Sequence, residues 1–335
     1  MGEGNANPVL VEVTRGRAVE SRHRGAAVAV DAGGAPVAAW GDVAARVLPR
    51  SAVKPLQALA LVESGAAAAY SVSEAEFALA CASHAGEPRH VEVVAAWLAR
   101  LGLAESDLAC GGHMPGNEAA GRALVVAGKR FGRLHDNCSG KHSGMLTLAR
   151  HLGAPTKGYE RVDHPVQRRI VAVLSDLAGA RLGARDAATD GCGVPTYPLP
   201  LAGLARAWAR FGCGAALGPA RAEAAARLRA AITANPVLVA GSGRLDSEVI
   251  AASAGRVLVK VGAEGVYAGA IPAAGLGIAL KIDDGARRAA EVACVALLDR
   301  LGALDDEVRR ELAGWRAPKV VTRAGEVVGE IRAVL

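Results

Sequence analysis

The sequence predicts an α+β protein: an antiparallel sheet built from both chain ends, with an inserted helical region between them. Three observations predict it. Before about residue 50, alternating or β-branched stretches are separated by glycine turns. From about 51 to 254, apolar residues recur at helical spacing between capping signals. After about 255, strand-like runs return, followed by helices and two short strands. No repeat or low-complexity linker divides the 335 residues. They read as a single unit, 1–335, with a sheet part at about 8–50 and 255–335 and a mainly helical part at about 51–254.

In order, Val9 to Val13, Ala26 to Asp31 and Pro36 to Trp40 read as strands, and Gly33-Gly34 as a hairpin turn between the last two. A helix is expected from near Ser51 to about Ser64, with apolar residues on most of its faces, as in a buried central helix. Pro55 lacks an N–H, so it must fall in the first turn. Ser73 to Glu76 is a capping box opening a helix that ends near Cys81. Further helices are expected over Glu87 to Leu101, Ser139 to Leu152, Pro165 to Leu177, Leu201 to Arg210 and, as a surface helix, Pro219 to Thr233. Asp107 to Asn117 and Asp190 to Pro200 read as loops. Strands follow at Arg256 to Val261, Gly265 to Ile271 and Ile278 to Lys281. Helices at Asp284 to Leu301 and Asp305 to Leu312 then precede short strands at Val320 to Thr322 and Val327 to Ile331.

Composition excludes several classes. The net charge is +6 and the pI about 9.2, but the basic residues are scattered and aromatics make up only 3% of the chain. Base-stacking platforms are therefore scarce, and no nucleic-acid partner is expected. The segment Met1 to Pro8 is polar, with no basic-then-apolar leader, and the apolar runs are too short to span a bilayer. A soluble cytoplasmic protein with no membrane partner is the expectation. Six widely spaced cysteines without a Cys-x-x-Cys pair read as reduced thiols. Of these, Cys81, Cys110, Cys213 and Cys294 lie in apolar surroundings and read as core. Of 39 Lys plus Arg, only seven are Lys, at 54, 129, 141, 157, 260, 281 and 319. In so arginine-rich a chain, a lysine is a candidate for work that arginine cannot do, such as giving up its proton.

The chemistry centres on Arg50-Ser51-Ala52-Val53-Lys54-Pro55. A serine hydroxyl needs a base to act as a nucleophile. Ser51 and Lys54 stand three apart at a helix entry, on one face. Alone the pattern is common. It is followed by Ser83-His84-Ala85-Gly86-Glu87-Pro88 and, at the end of an edge-type strand, by Lys260-Val261-Gly262-Ala263-Glu264-Gly265. This order resembles the three motifs of serine β-lactamases and penicillin-binding proteins. It departs from them in its early, histidine-containing second motif and in the missing hydroxyl of the third. Two more polar stretches, Asp136 to Gly144 and Asp190 to Pro195, carry thiols at 138 and 192. By spacing, Cys138 and Lys141 share a helix face, and Cys192 would have to arrive from a distant loop. Two core thiols and a lysine paired with Asp136 would explain the same residues. His90, His113, His151 and His164 read as surface or capping residues, and Gly241-Ser242-Gly243-Arg244 lacks the setting of a phosphate loop.

Taken together, these five stretches resemble the rhizobial-type (class 3, asparaginase II family) L-asparaginases, over about residues 8 to 335. The resemblance implies a serine β-lactamase-like and glutaminase-like fold and hydrolysis of L-asparagine to L-aspartate and ammonia. It implies Ser51 as nucleophile with Lys54 as partner, and Ser83 with Lys260 as a second Ser-Lys pair. It further implies a zinc ion (Zn2+) held by Cys138, Lys141 and Cys192, with Arg50, His84, His142 and Asp190 lining the substrate site, and a homodimer. Two rivals stay open: another serine amidohydrolase on the same fold, such as a glutaminase or β-lactam hydrolase, and a non-catalytic zinc- or ligand-binding protein. Crowding of Lys54, Lys141, His142 and Lys260 should depress at least one lysine pKa and give an alkaline optimum.

Overall fold

The structure is a computed structural model that describes residues 6–335; of the polar N-terminal segment read above, residues 1–5 lie outside the described residues. Strand β1 (Val9–Arg15) turns into β2 (Ala18–Asp31), and β3 (Pro36–Trp40) returns along the far half of β2. Late in the chain come β4 (Leu258–Val261), β5 (Val266–Ile271), β6 (Leu276–Ile282), β7 (Lys319–Val321) and β8 (Val327–Ala333). The sheet order is β7-β8-β1-β2-β6-β5-β4, with β3 also on β2, and every pairing is antiparallel. Both chain ends therefore build the sheet, as the pattern predicts. Strand β2 is the seam: its first half pairs with β1, and Gly25 to Asp31 lie opposite Ile282 to Leu276. Its first half was not expected as strand, because Ser21, Arg22, His23 and Arg24 break the apolar alternation.

The helical elements used below are α1 (Lys54–Glu63), α2 (Glu74–Ala80), α3 (Pro88–Arg100), α4 (Glu118–Val126), α5 (Ser139–His151), α6 (Pro165–Ala178), α7 (Leu201–Cys213), α8 (Pro219–Ala234), α9 (Leu245–Ala252) and α10 (Arg287–Arg300). Helix α8 is not purely a surface helix: it buries Ala224, Leu228 and Ile232 against α1 and α2. Helices α4 and α9 were not predicted. The first is short and flanked by glycines, and the second hides charged residues among apolar ones.

The period-two alternation of β2 divides the core. Val28 and Val30 face α1, α7 and the helical region, whereas Ala27 and Ala29 face α9 and α10 on the other side. The sheet is thus covered on both faces. Helix α1 is buried along nearly its whole length, including Lys54. A helix apolar on all sides belongs in an interior, and here α6, α8, α5 and α2 surround it. Its first residue is Lys54, with Pro55 in the first turn, and a 3-10 turn, Arg50–Val53, leads into it. The edge strand β4 and this turn lie side by side. No helix among the described residues is long and apolar enough to cross a membrane.

Candidate active site

The turn before α1, the segment after α2, the end of β4 and the start of α5 meet around one cavity of about 350 Å³. Arg50, Ser51, Ser83, Cys138, Asp190 and Cys192 are among its lining. The contact between β4 and the turn is close. A Cβ on Gly262 would stand 2.7 Å from the Pro49 carbonyl oxygen, so only glycine lets the strand end pass there. Arg50 has φ +51, a left-handed backbone that a non-glycine residue adopts at a cost. Its guanidinium holds Asp190, tying the turn to the 190–195 loop.

The two lysines are placed differently from a simple Ser51–Lys54 couple. Lys54 Nζ donates to Ser83 Oγ at 2.9 Å, to the Ala82 carbonyl at 2.6 Å and to the Asn137 carbonyl at 3.3 Å. Three acceptors match the three hydrogens of an ammonium group. Lys54 thus pairs with Ser83, and no side chain among the described residues hydrogen-bonds Ser51 Oγ. Lys260, fully buried, donates to Asp246 Oδ2 at 3.3 Å and to the Val261 carbonyl at 3.2 Å. The same carboxylate accepts Val261 N–H at 3.1 Å, and Tyr267 OH donates to its other oxygen at 2.6 Å. Burial lowers the Lys260 pKa to about 8, against the pull of Asp246 and with help from the Lys54 charge. The expected depressed lysine is therefore Lys260. Gly262 N–H donates to the Val266 carbonyl at 2.8 Å and so is not available as an oxyanion donor.

A second cluster lies at the cavity wall, where Cys138 and Cys192 line it. Lys141 Nζ donates to Cys192 Sγ at 3.0 Å, so it pairs with a thiol and not with Asp136. The neighbouring Cys138 thiol, and then the Lys141 charge, lower Cys192 to about 5 against the effect of its burial. Cys138 Sγ donates to Asn137 Oδ1 at 2.9 Å, and the neighbouring Cys192 sulfur together with burial pushes its thiol up to about 12. Burial disfavours the Lys141 ammonium, but the sulfur charges and Asp190 outweigh it and raise its pKa. Among the described residues no group of three or more His, Cys, Asp or Glu could hold a metal. The cluster reaches three donors only when the lysine amine is counted.

His142 is fully buried, and burial together with Lys141 lowers its pKa to about 3. Its Nδ1 lies 2.6 Å from Tyr159 OH, which also accepts Ala109 N–H at 2.8 Å. The arrangement that uses every proton has the tyrosine donating to Nδ1, leaving Nε2–H unpartnered and buried. His84 lines the cavity, but both its nitrogens are engaged: Nδ1 accepts Gly86 N–H, and Nε2 meets Ser139 Oγ at 2.9 Å. Burial and His90 hold its pKa well below the ordinary value, so it stays neutral. Asp190 stays below the ordinary carboxylate range: burial opposes this, but Lys141 and Arg50 prevail.

Sequence reasoning missed several residues of this site. His113, read as surface or capping, also lines the cavity and accepts Asn137 N–H on Nε2 at 3.1 Å. Asp246 and Tyr267 are buried under Lys260, and Arg244 and Arg287 supply two more cations to the cavity. An acidic pair flanked by apolar residues, Leu245-Asp246-Ser247-Glu248-Val249-Ile250, is the signal that could have found Asp246. A buried carboxylate implies a buried cation. Outside the site, His90 and His164 do act as capping partners, of α3 and α6. Cys81, Cys110 and Cys294 are buried as expected, whereas Cys213 is only half-buried.

The family model of L-asparaginase II matches residues 11–333. No curated protein sequence matches the chain. Two solved structures are similar at low identity. One is the crystal structure of Mglu in its native form in the presence of 4.3 M NaCl, at 16% identity and TM-score 0.47; the match covers 84% of this chain and 62% of that one. The other is a β-lactamase from Mycobacterium bovis, at 15% identity and TM-score 0.41, covering 82% of this chain and 94% of that one.

Proposed function

The chain belongs to the L-asparaginase II family, and from that premise we propose that it hydrolyses L-asparagine to L-aspartate and ammonia through a serine acyl-enzyme. One observation carries the reading: two serines lie on one cavity, Lys54 holds one of them, and Lys260, at the end of the adjoining strand, changes protonation near neutral pH.

Ser51 is the nucleophile in this reading, at the strained turn and with its oxygen unengaged. Lys54, donating to Ser83 and to two carbonyls, fixes Ser83 Oγ as an acceptor, which leaves the Ser83 hydrogen free to point into the cavity. Lys260 in its neutral form is the base that draws the proton from Ser51, directly or through Ser83, once substrate closes the site. Such contacts are often longer before substrate binds. The Ser51 oxygen adds to the side-chain amide carbon, and the positive field of the lysines favours the oxyanion. The tetrahedral adduct collapses as the amide nitrogen takes the proton and leaves as ammonia. Water, deprotonated by the same base, then releases aspartate. Arg50 and Asp190 act as a brace that keeps the turn in place.

The second cluster fits a zinc ion by its donor chemistry: two thiols and an amine match the soft S and N ligands zinc takes, with a fourth position open. Cys138, Cys192 and Lys141 would hold it. When bound, it would supply positive charge for orienting the polar groups of the amino acid. Ligation requires Lys141 and Cys138 to give up their protons, so affinity should rise with pH.

The test is ammonia release from L-asparagine by the purified protein, beside L-glutamine and nitrocefin, with and without chelator. Release from asparagine, lost in Ser51→Ala at unchanged melting temperature, is expected. An active Ser51→Ala protein would end the mechanism. Sedimentation of the same sample would test the expected homodimer.

A further inference from the structure

The loop Gly241–Arg244 has no part in the steps above, yet it is built with care. Ser242 N–H donates to Glu87 Oε1 at 2.7 Å and Ser242 Oγ to Glu87 Oε2 at 3.1 Å. Gly241 has φ +119, and a Cβ there would lie 2.5 Å from the Ala85 Cβ. The loop is therefore clamped onto the segment that carries Ser83 and His84. Its last residue, Arg244, enters α9 two positions before Asp246, the partner of Lys260. The Arg244 side chain lines the active-site cavity. Its Nη1 reaches the opposite wall, 3.8 Å from where a Cβ on Gly116 would stand.

Three arginines line the cavity, and two of them are committed. Arg50 holds Asp190, and Arg287 Nε donates to Glu291 at 2.7 Å. The Arg244 side chain makes no hydrogen bond or ion pair to any described residue; only its backbone carbonyl is engaged, by Glu248 N–H. It is half-buried, and burial and the Arg287 charge lower its pKa. The carboxylates of the cavity are engaged elsewhere: Asp190 with Arg50 and Gly191 N–H, and Asp136 with Cys138 N–H. A desolvated guanidinium without an anion is costly, and its planar fork matches a carboxylate bidentately.

We propose that Arg244 binds the α-carboxylate of the amino-acid substrate, with Arg287 adding to the field, and so turns the side-chain amide toward Ser51. This rests on the proposed asparagine hydrolysis and adds to it the group that recognises the free amino acid.

The experiment compares wild type with Arg244→Met and Arg244→Lys. It measures kcat and KM for L-asparagine, and inhibition by L-aspartate and by L-asparaginamide, whose α-carboxylate is replaced by a neutral amide. Arg244→Met should raise KM roughly 100-fold, as expected for one partner of a buried charge pair, with a much smaller change in kcat. It should also abolish the preference for L-aspartate over L-asparaginamide, and Arg244→Lys should restore part of both. Circular dichroism and melting temperature identify a variant that fails to fold, in which case Arg244→Lys decides the matter by its KM and inhibitor preference. Unchanged KM and preference in an active, folded variant overturn the assignment and leave asparagine hydrolysis standing. Wild type that releases no ammonia but binds L-aspartate through Arg244 overturns the hydrolysis and leaves the carboxylate site. A wild type that does neither ends both.

Discussion

Asp246 is the residue on which the protonation of Lys260 turns. Its carboxylate raises the Lys260 pKa against burial, which keeps it at about 8. Asp246→Asn removes that charge and keeps the shape. The Lys260 pKa should then fall, and the acid limb of the kcat/KM profile should move from near 8 toward lower pH by about one unit, since one unit corresponds to about 1.4 kcal/mol of lost interaction. The sign follows from the neutral amine being the active form: activity rises as pH passes through its pKa. A limb that stays in place in the variant would remove Lys260 as the base. Ser51→Ala and Ser83→Ala separate the two hydroxyls. The first should lower kcat by roughly 10⁴-fold or more, as loss of a nucleophile generally does. The second should cost less and mainly alter the pH profile. Much of this was legible from residue types alone. The rarity of lysine singled out positions of which 54, 141 and 260 are buried while 129, 157 and 319 are exposed. Which serine each lysine serves was not legible, because Ser83 reaches Lys54 through a chain reversal that spacing does not encode.

At the scale of elements, caps and close approaches decide the geometry. Helix α2 is held by the Ser73–Glu76 capping box, and Glu76 also takes a forked bond from Arg100 Nη2, with both distances 2.7 Å. Ser73→Ala should cost about 1 kcal/mol, the usual worth of an N-cap, read as a lower urea midpoint at constant slope. An unchanged midpoint would show that packing alone holds the helix. Gly262→Ala should act differently. Its Cβ must push the Pro49 carbonyl and with it the turn bearing Ser51. Turnover should fall by more than the loss of stability explains, checked by measuring kcat beside the melting temperature. Proportionate losses would place the effect in the fold and not in the site. The capping box and Pro55 were readable as local signals. Helices α4 and α9 were not, since their positions follow from what they pack against.

At the scale of the molecule, the paired thiols and Lys141 join α5 to the 190–195 loop across the cavity. A metal held there would favour the folded chain, so zinc should raise the melting temperature in proportion to the logarithm of its free concentration. Cys192→Ser should abolish that rise and, by leaving the buried Lys141 ammonium without its thiolate, also lower the metal-free melting temperature. A rise that persists in the variant would place the metal elsewhere. The layered arrangement was visible in the alternation of strand-like and helical stretches, but the sheet order was not, because pairing between distant segments leaves no mark in either one.

The seam strand also has a consequence for how the protein is made. Residues Gly25 to Asp31 find their partner in Leu276 to Ile282, so one edge of β2 waits while most of the chain leaves the ribosome. Lys260 arrives on the same late strands, at the end of β4. A nascent chain released before that point has its first serine motif but neither a closed sheet nor a base. In timed cell-free synthesis, activity should therefore appear abruptly with the full-length product and not accumulate with shorter ones, as folding governed by distant pairing requires.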